Sequence, residues 1–307
     1  MLKLARTLFS LGFLVALVMS LLVLLLPHDT DNYMAAAADK HRLLYSVPSP
    51  RIILVGGSNT AFSVDSQKLS EHFGMPVINI GLNVDIGLRY MLNEVKPALR
   101  DGDILLIFPE YAHFSGLSLD GKSRELGTLI KLCPECISGI TTPMQAFNVT
   151  AGLFEGVESD ILRAMGKPKN KSVVYTRRGF NAWGDMVAHI GQPTPSNFDA
   201  SIPKVIVSSP NQAIELMNGF YRSLDVDVQV FMVYPAIPVR MYKAQKDNFT
   251  DLDKLIQSDL EVSVIGTSQD FVYPTKLFYD TSYHLNGDGR AVHTDHIIDM
   301  LPPSLAR

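Results

Sequence analysis

Arg51-Ile52-Ile53-Leu54-Val55-Gly56-Gly57-Ser58-Asn59-Thr60-Ala61-Phe62-Ser63-Val64-Asp65 is the stretch around which the rest of the chain is arranged. Ile52 to Val55 is a short apolar run, mostly β-branched, of the kind that forms a strand buried on both faces. Gly56-Gly57 ends it and lets the backbone turn tightly. A helix is expected to start near Asp65 or Ser66. In open parallel sheets, ligands bind at the carboxyl ends of the strands. Ser58 therefore stands where a nucleophile would be wanted. A turn or capping serine after a strand is the competing reading.

Outward from this stretch the pattern alternates. Strands are expected at Val77 to Ile80, Ile104 to Phe108, Val228 to Val233 and Val262 to Ile265. Helices are expected at Ser66 to Phe73, Ile86 to Leu99, Asn211 to Leu224, Leu252 to Leu260 and Asp288 to Met300. Helices between short apolar strands imply right-handed βαβ units. The fold class is therefore α/β, a flavodoxin-like three-layer α/β/α sandwich around a parallel sheet of about five strands. From about Phe114 to Ser209 the alternation breaks. We read a large insertion packed over the carboxyl ends of the strands, with helical pieces such as Thr142 to Phe154. Aromatic and aliphatic residues throughout argue against a disordered linker.

Near the other end, Tyr279-Asp280-Thr281-Ser282-Tyr283-His284-Leu285-Asn286-Gly287-Asp288-Gly289 places an acid and a histidine before a helix. An early serine with a late acid and histidine supplies a nucleophile, a base and an orienting group for acyl transfer. A loop histidine that caps the next helix is the bland alternative for His284. The two ends together resemble the SGNH/GDSL hydrolase family. Ser58 matches its serine, Gly81 in Asn79-Ile80-Gly81 its block II glycine, and His284 its histidine.

The resemblance implies that Ser58 and His284 are catalytic, with Asp280 as the orienting acid. It also implies an oxyanion hole from the backbone N–H groups of Ser58 and Gly81, with the Asn59 side chain standing in for the block III asparagine. Three departures are visible. Gly-Asp-Ser reads Gly56-Gly57-Ser58. Pro109-Glu110-Tyr111 occupies the place of Gly-x-Asn. Asp280 lies four residues before His284, so either the loop is longer by one residue or the site is a Ser-His dyad.

The arrangement is similar to membrane-anchored proteins that add or remove acyl groups on bacterial cell-envelope polysaccharides. That similarity implies an acylated exopolysaccharide or other envelope substrate, a membrane-bound O-acyltransferase as partner, and no cofactor. A non-catalytic envelope component that binds a glycan or a partner protein is the alternative. A lipid-directed esterase is a third.

The chain of 307 residues carries a net charge of −4 and has no long basic run, so nucleic acid is not an expected partner. Residues 1–7 contain Lys3 and Arg6. Residues 8–26 carry no charge and have the length of one bilayer-spanning helix. The positive-inside tendency then gives a single-pass protein of the inner (cytoplasmic) membrane, its catalytic domain periplasmic or extracellular. A cleaved signal peptide is the rival reading. Residues 27–50 read as a linker, with a helix over Tyr33 to Leu44 that Pro48 and Pro50 end. The SGNH-like domain is 51–307, with the insertion at about 114–209.

Cys133 and Cys136 are the only cysteines, and the expected pairing is a local disulfide. A zinc site would need two more ligands, and no metal is expected. Glu110 and His113 follow the third strand and could bind substrate. So could Arg178 and Trp183, although packing Trp183 against the core is the simpler role. His293 and His296 read as surface residues of the last helix.

Overall fold

The computed structural model describes residues 2–166, 172–195, 198 and 204–305, except for the side chains of residues 2, 4, 5, 8, 15, 16 and 24. The chain begins with α1 (Leu2–Leu25) and a 3-10 turn (Tyr33–Ala35) leading into α2 (Ala36–Ser46). The sheet strands are β1 (Ile52–Gly56), β2 (Val77–Asn79), β3 (Ile104–Phe108), β4 (Gln229–Val233) and, after the short β5 (Ile237–Pro238), β6 (Ser263–Ile265). They pair in the order β2-β1-β3-β4-β6, and every pairing is parallel. β5 pairs separately, also in parallel, with β7 (Val272–Tyr273).

The apolar runs read from the sequence are these strands. β1 and β3 are buried along their whole length, as the central position of both requires. Right-handed crossovers then divide the helices between two faces. α3 (Ser58–Ser63) and α4 (Ser66–Phe73) follow β1, and both contact the last helix, which runs from Gly287 to Met300. α5 (Leu88–Val95) lies between β2 and β3, and it contacts the helix Gln212–Arg222 that precedes β4. Arg51 ties the sheet to α2. Its buried guanidinium donates to the carbonyls of Leu44 and Val47 at the end of α2, and to that of Ala98.

One expectation is corrected here. Among the described residues no helix is long and apolar enough to cross a membrane. A spanning helix needs about 20 consecutive apolar residues. The transmembrane anchor over 8–26, the single-pass inner-membrane location and the membrane-anchored partnership built on it are withdrawn.

The segment between β3 and β4 is more helical than its sequence suggests. It holds α6 (Tyr111–Phe114), α7 (Ser123–Leu132) and α8 (Pro143–Ala164). Thr142 begins α8 with a capping box to Gln145. α7 and α8 touch backbone to backbone through Gly127 and Gly152. A Cβ on Gly152 would lie 1.7 Å from the Ser123 carbonyl oxygen. Gly156, one turn on, has only Lys131 Nζ at 3.8 Å. Gly152→Ala should therefore lower stability by about 1–3 kcal/mol through overpacking. Gly156→Ala should raise it by up to about 1 kcal/mol through helix propensity. Urea denaturation of the two variants checks the contrast, and equal effects would rule out the close approach as the cause.

The remaining helices are α9 (Gln212–Arg222), α10 (Val239–Ala244), α11 (Lys246–Asp259) and α12 (Gly287–Met300).

Candidate active site

The order β2-β1-β3 makes the carboxyl end of β1 the point where the chain's crossovers change direction, the usual ligand-binding crevice of such sheets. Gly56 is in register with Phe108, so β1 and β3 end side by side. The helix after β1 begins earlier than expected, at Ser58 rather than near Asp65. Gly57 is its N-cap, and no side chain caps it there. Ser58 is partly exposed at the first turn, whereas Asn59 to Ser63 are buried.

His284 meets this helix directly. Its imidazole stacks on Phe62 with ring centroids 3.9 Å apart and planes 7° from parallel. Phe62 lies four residues after Ser58, so the two side chains share a helix face. Ser63 Oγ donates to the Tyr283 carbonyl at 3.0 Å and accepts from Leu285 N–H at 3.4 Å. The loop carrying His284 is thus pinned to the end of α3.

Asp280 lies beside the imidazole. Its Oδ1 lies 2.8 Å from His284 Nδ1. Burial opposes ionisation of Asp280, but the hydrogen bonds from His284 and from Tyr175 outweigh it and hold its carboxyl below the usual range. The Tyr175 hydroxyl donates to Asp280 Oδ2 and lies 3.2 Å from His284 Nδ1. His284 Nε2 has no hydrogen-bond partner among the described residues.

Tyr175 was not foreseen. It comes from the insertion, 105 residues before Asp280, and no local spacing relates the two. Tyr33 was missed as well. Its ring stacks at a tilt against Tyr175 at 5.6 Å, and its hydroxyl donates to the Leu82 carbonyl at 2.6 Å.

The groups named for the oxyanion hole are placed differently from one another. Gly81 N–H donates to Asn79 Oδ1 at 3.0 Å. Asn59 Nδ2 donates to the Phe108 carbonyl at 3.2 Å. Both are engaged within the protein. Glu110 is buried behind this turn. A Cβ on Gly57 would lie 2.5 Å from Glu110 Oε1 and 3.0 Å from Val84 N, so a side chain there would force the carboxyl to shift. That oxygen has no hydrogen-bond partner among the described residues. Burial pushes the Glu110 carboxyl up to about 8, despite the Asn59 backbone N–H directed at it, so it is neutral at pH 7.

His113 is fully buried and its Nδ1 accepts from Glu110 N–H at 3.1 Å. Arg178 is exposed and paired with Asp31. Trp183 sits at the β2 edge, where its carbonyl accepts from Asn79 N–H at 2.8 Å, beside Met75, Pro76 and Ile78. Neither joins the His284 cluster. Asp185, near Trp183, is a buried hub. Its carboxylate accepts from Ser66, Asn79 and Arg290, binding the insertion to α4, β2 and α12. Cys133 and Cys136 are joined in a disulfide. His293 is buried rather than on the surface, and its Nδ1 and that of His296 each lie 3.1 Å from the Tyr273 hydroxyl.

Burial fixes an acid limit on stability. It pushes His113 down to about 4 and His293 down to about 3, so both are neutral in the fold. In the unfolded chain each takes a proton near pH 6.5. The unfolded state thus binds more protons below that pH, and stability is lost as pH falls from about 6.5 to about 4. The loss is roughly 3 kcal/mol for each histidine. Urea midpoints measured across that range should fall steeply, and His293→Gln should flatten the slope. A midpoint independent of pH would contradict the burial.

No protein-family model matches the chain, and neither a curated protein nor a solved structure matches it significantly.

Proposed function

We propose that the protein is a serine-dependent esterase or acyltransferase, acting on O-acetyl or similar acyl groups carried by a polysaccharide. The observation that carries this reading is the Tyr175–Asp280–His284 cluster seated on α3, the helix that opens with Ser58 at the carboxyl edge of the sheet. Ser58 Oγ attacks the ester carbonyl, and His284 Nε2 takes its proton and returns it to the leaving alcohol. Asp280 holds the proton of His284 on Nδ1. Water or a sugar hydroxyl then attacks the acyl-enzyme. The Ser58 backbone N–H faces the developing oxyanion, a donor worth about 2.7–4 kcal/mol in the barrier.

Glu110 adds a pH limit. Neutral, it leaves no second charge behind the nucleophile. Ionised, it would oppose an oxyanion forming beside Gly57. We expect kcat/KM to fall as pH rises through about 8, and Glu110→Gln to remove that limb of the profile. An unchanged alkaline limb in the variant would rule Glu110 out as its source.

A second reading is a non-catalytic component that kept this fold and binds a glycan or a partner protein. The engagement of both Gly81 N–H and the Asn59 amide favours it. A fluorophosphonate probe separates the two. The esterase reading requires covalent labelling that maps to Ser58 and disappears on heat denaturation. A folded protein that stays unlabelled supports the binding reading.

A further inference from the structure

Between α2 and α5, three elements bring together groups that the acyl-transfer reading does not use. His41 comes from α2, Glu94 from α5, and Cys133 and Cys136 from the N-cap and body of the 3-10 turn (Pro134–Gly139) after α7. One ligand atom each from His41, Cys133 and Cys136 all lie within 4.8 Å of one another. His41 Nδ1 is 2.5 Å from Glu94 Oε1, and the Tyr90 hydroxyl donates to Glu94 Oε2 at 3.1 Å. Cys133, Cys136 and Glu94 are all buried.

A disulfide needs neither an imidazole nor a carboxylate beside it. A metal site uses both. Cys-x-x-Cys is the usual spacing of paired zinc thiolates, and the thiolate–imidazole set suits zinc rather than magnesium or calcium. A metal-binding histidine ordinarily gives its other ring N–H to a carboxylate. Glu94 takes that place at Nδ1 and leaves the lone pair on Nε2. A cavity of about 30 Å³, lined by His41, Glu94 and Cys136 among others, adjoins the group. That is about the share of one water molecule, enough for a fourth ligand.

We propose that Cys133, Cys136 and His41 bind one zinc ion when the disulfide is open, with Glu94 as the positioning residue for His41. The disulfide and the metal are alternative closures of the same turn. Opening takes two electrons. With a phosphine as reductant, the S–S bond breaks, the phosphorus is oxidised to the phosphine oxide with oxygen from water, and the two protons of that water end on the sulfurs. Zinc then displaces those two protons as the thiolates bind. Its readout is metal uptake, not ester turnover.

The test is a titration of the whole chain with zinc, and with cobalt as a spectroscopic probe, before and after phosphine reduction. Circular dichroism is recorded alongside. The oxidised protein should bind neither metal. The reduced, folded protein should take one equivalent and show a thiolate-to-cobalt charge-transfer band. His41→Ala should weaken zinc binding by at least about 100-fold, and Glu94→Gln by about 10–100-fold. Three results would overturn the proposal. One is a reduced, folded wild type with no such band. Another is His41→Ala binding zinc as tightly as wild type. The third is metal uptake only after the native dichroism is lost.

Discussion

Ser58→Ala should abolish turnover of a simple acetyl ester and leave the fold intact. Ser58 is partly exposed, and its side chain makes no hydrogen bond to the described residues. Removing Oγ should then change stability by no more than about 0.5 kcal/mol. The expected loss of rate is on the order of 10,000-fold or more. His284→Ala should cost a similar factor, but it is a less clean variant. It removes the ring stacked at 3.9 Å on Phe62 and leaves Asp280 bonded to Tyr175 alone. His284→Gln, which keeps bulk against Phe62, is the control for that packing loss. The double variant Ser58→Ala/His284→Ala should be little slower than either single one, because groups that act as a unit are strongly non-additive. Rates that multiplied would mean the two residues act separately. Full activity in Ser58→Ala would end the esterase reading.

The sheet was legible because its cause is local. Ile52 to Val55 and Ile104 to Phe108 are unbroken apolar runs, and only a strand buried on both faces uses such a run at that length. The start of α3 was not legible. Gly56-Gly57-Ser58-Asn59 carries turn signals, and the helix that follows is held by burial of Ala61 and Phe62 rather than by periodicity. The insertion misled for a related reason. Frequent glycine, proline and polar residues broke the alternation there, but Gly127 and Gly152 let α7 and α8 approach backbone to backbone. In the site, Asp280 and His284 could be found because they lie four residues apart in one loop. Tyr175 could not, since only the folded course of the insertion brings it there. The charge-free run of residues 8–26 suggested a membrane span, and among the described residues no helix meets that requirement.

Asp280→Asn should lower kcat by about 1,000- to 10,000-fold with KM little changed. The carboxylate accepts the Nδ1 proton of His284 at 2.8 Å. An amide in its place can present N–H to Nδ1 and so fix the tautomer whose Nε2 carries the proton, which cannot act as a base. Tyr175→Phe should cost much less, on the order of 10-fold, since Asp280 Oδ1 still holds the imidazole. Tyr175 bonds to the other carboxylate oxygen and lies 3.2 Å from His284 Nδ1, and a positioning residue at that place is expected to act by holding this pair. The double variant Asp280→Asn/Tyr175→Phe should then equal Asp280→Asn alone. That equality separates positioning from a direct contact of Tyr175 with substrate, which would add its own loss and show in KM. The departure in spacing between Asp280 and His284 left open a Ser-His dyad. In a dyad, Asp280→Asn would change kcat by no more than about 10-fold, whatever the 2.8 Å contact suggests. Steady-state kinetics of the three variants on one acetyl ester decides between those outcomes.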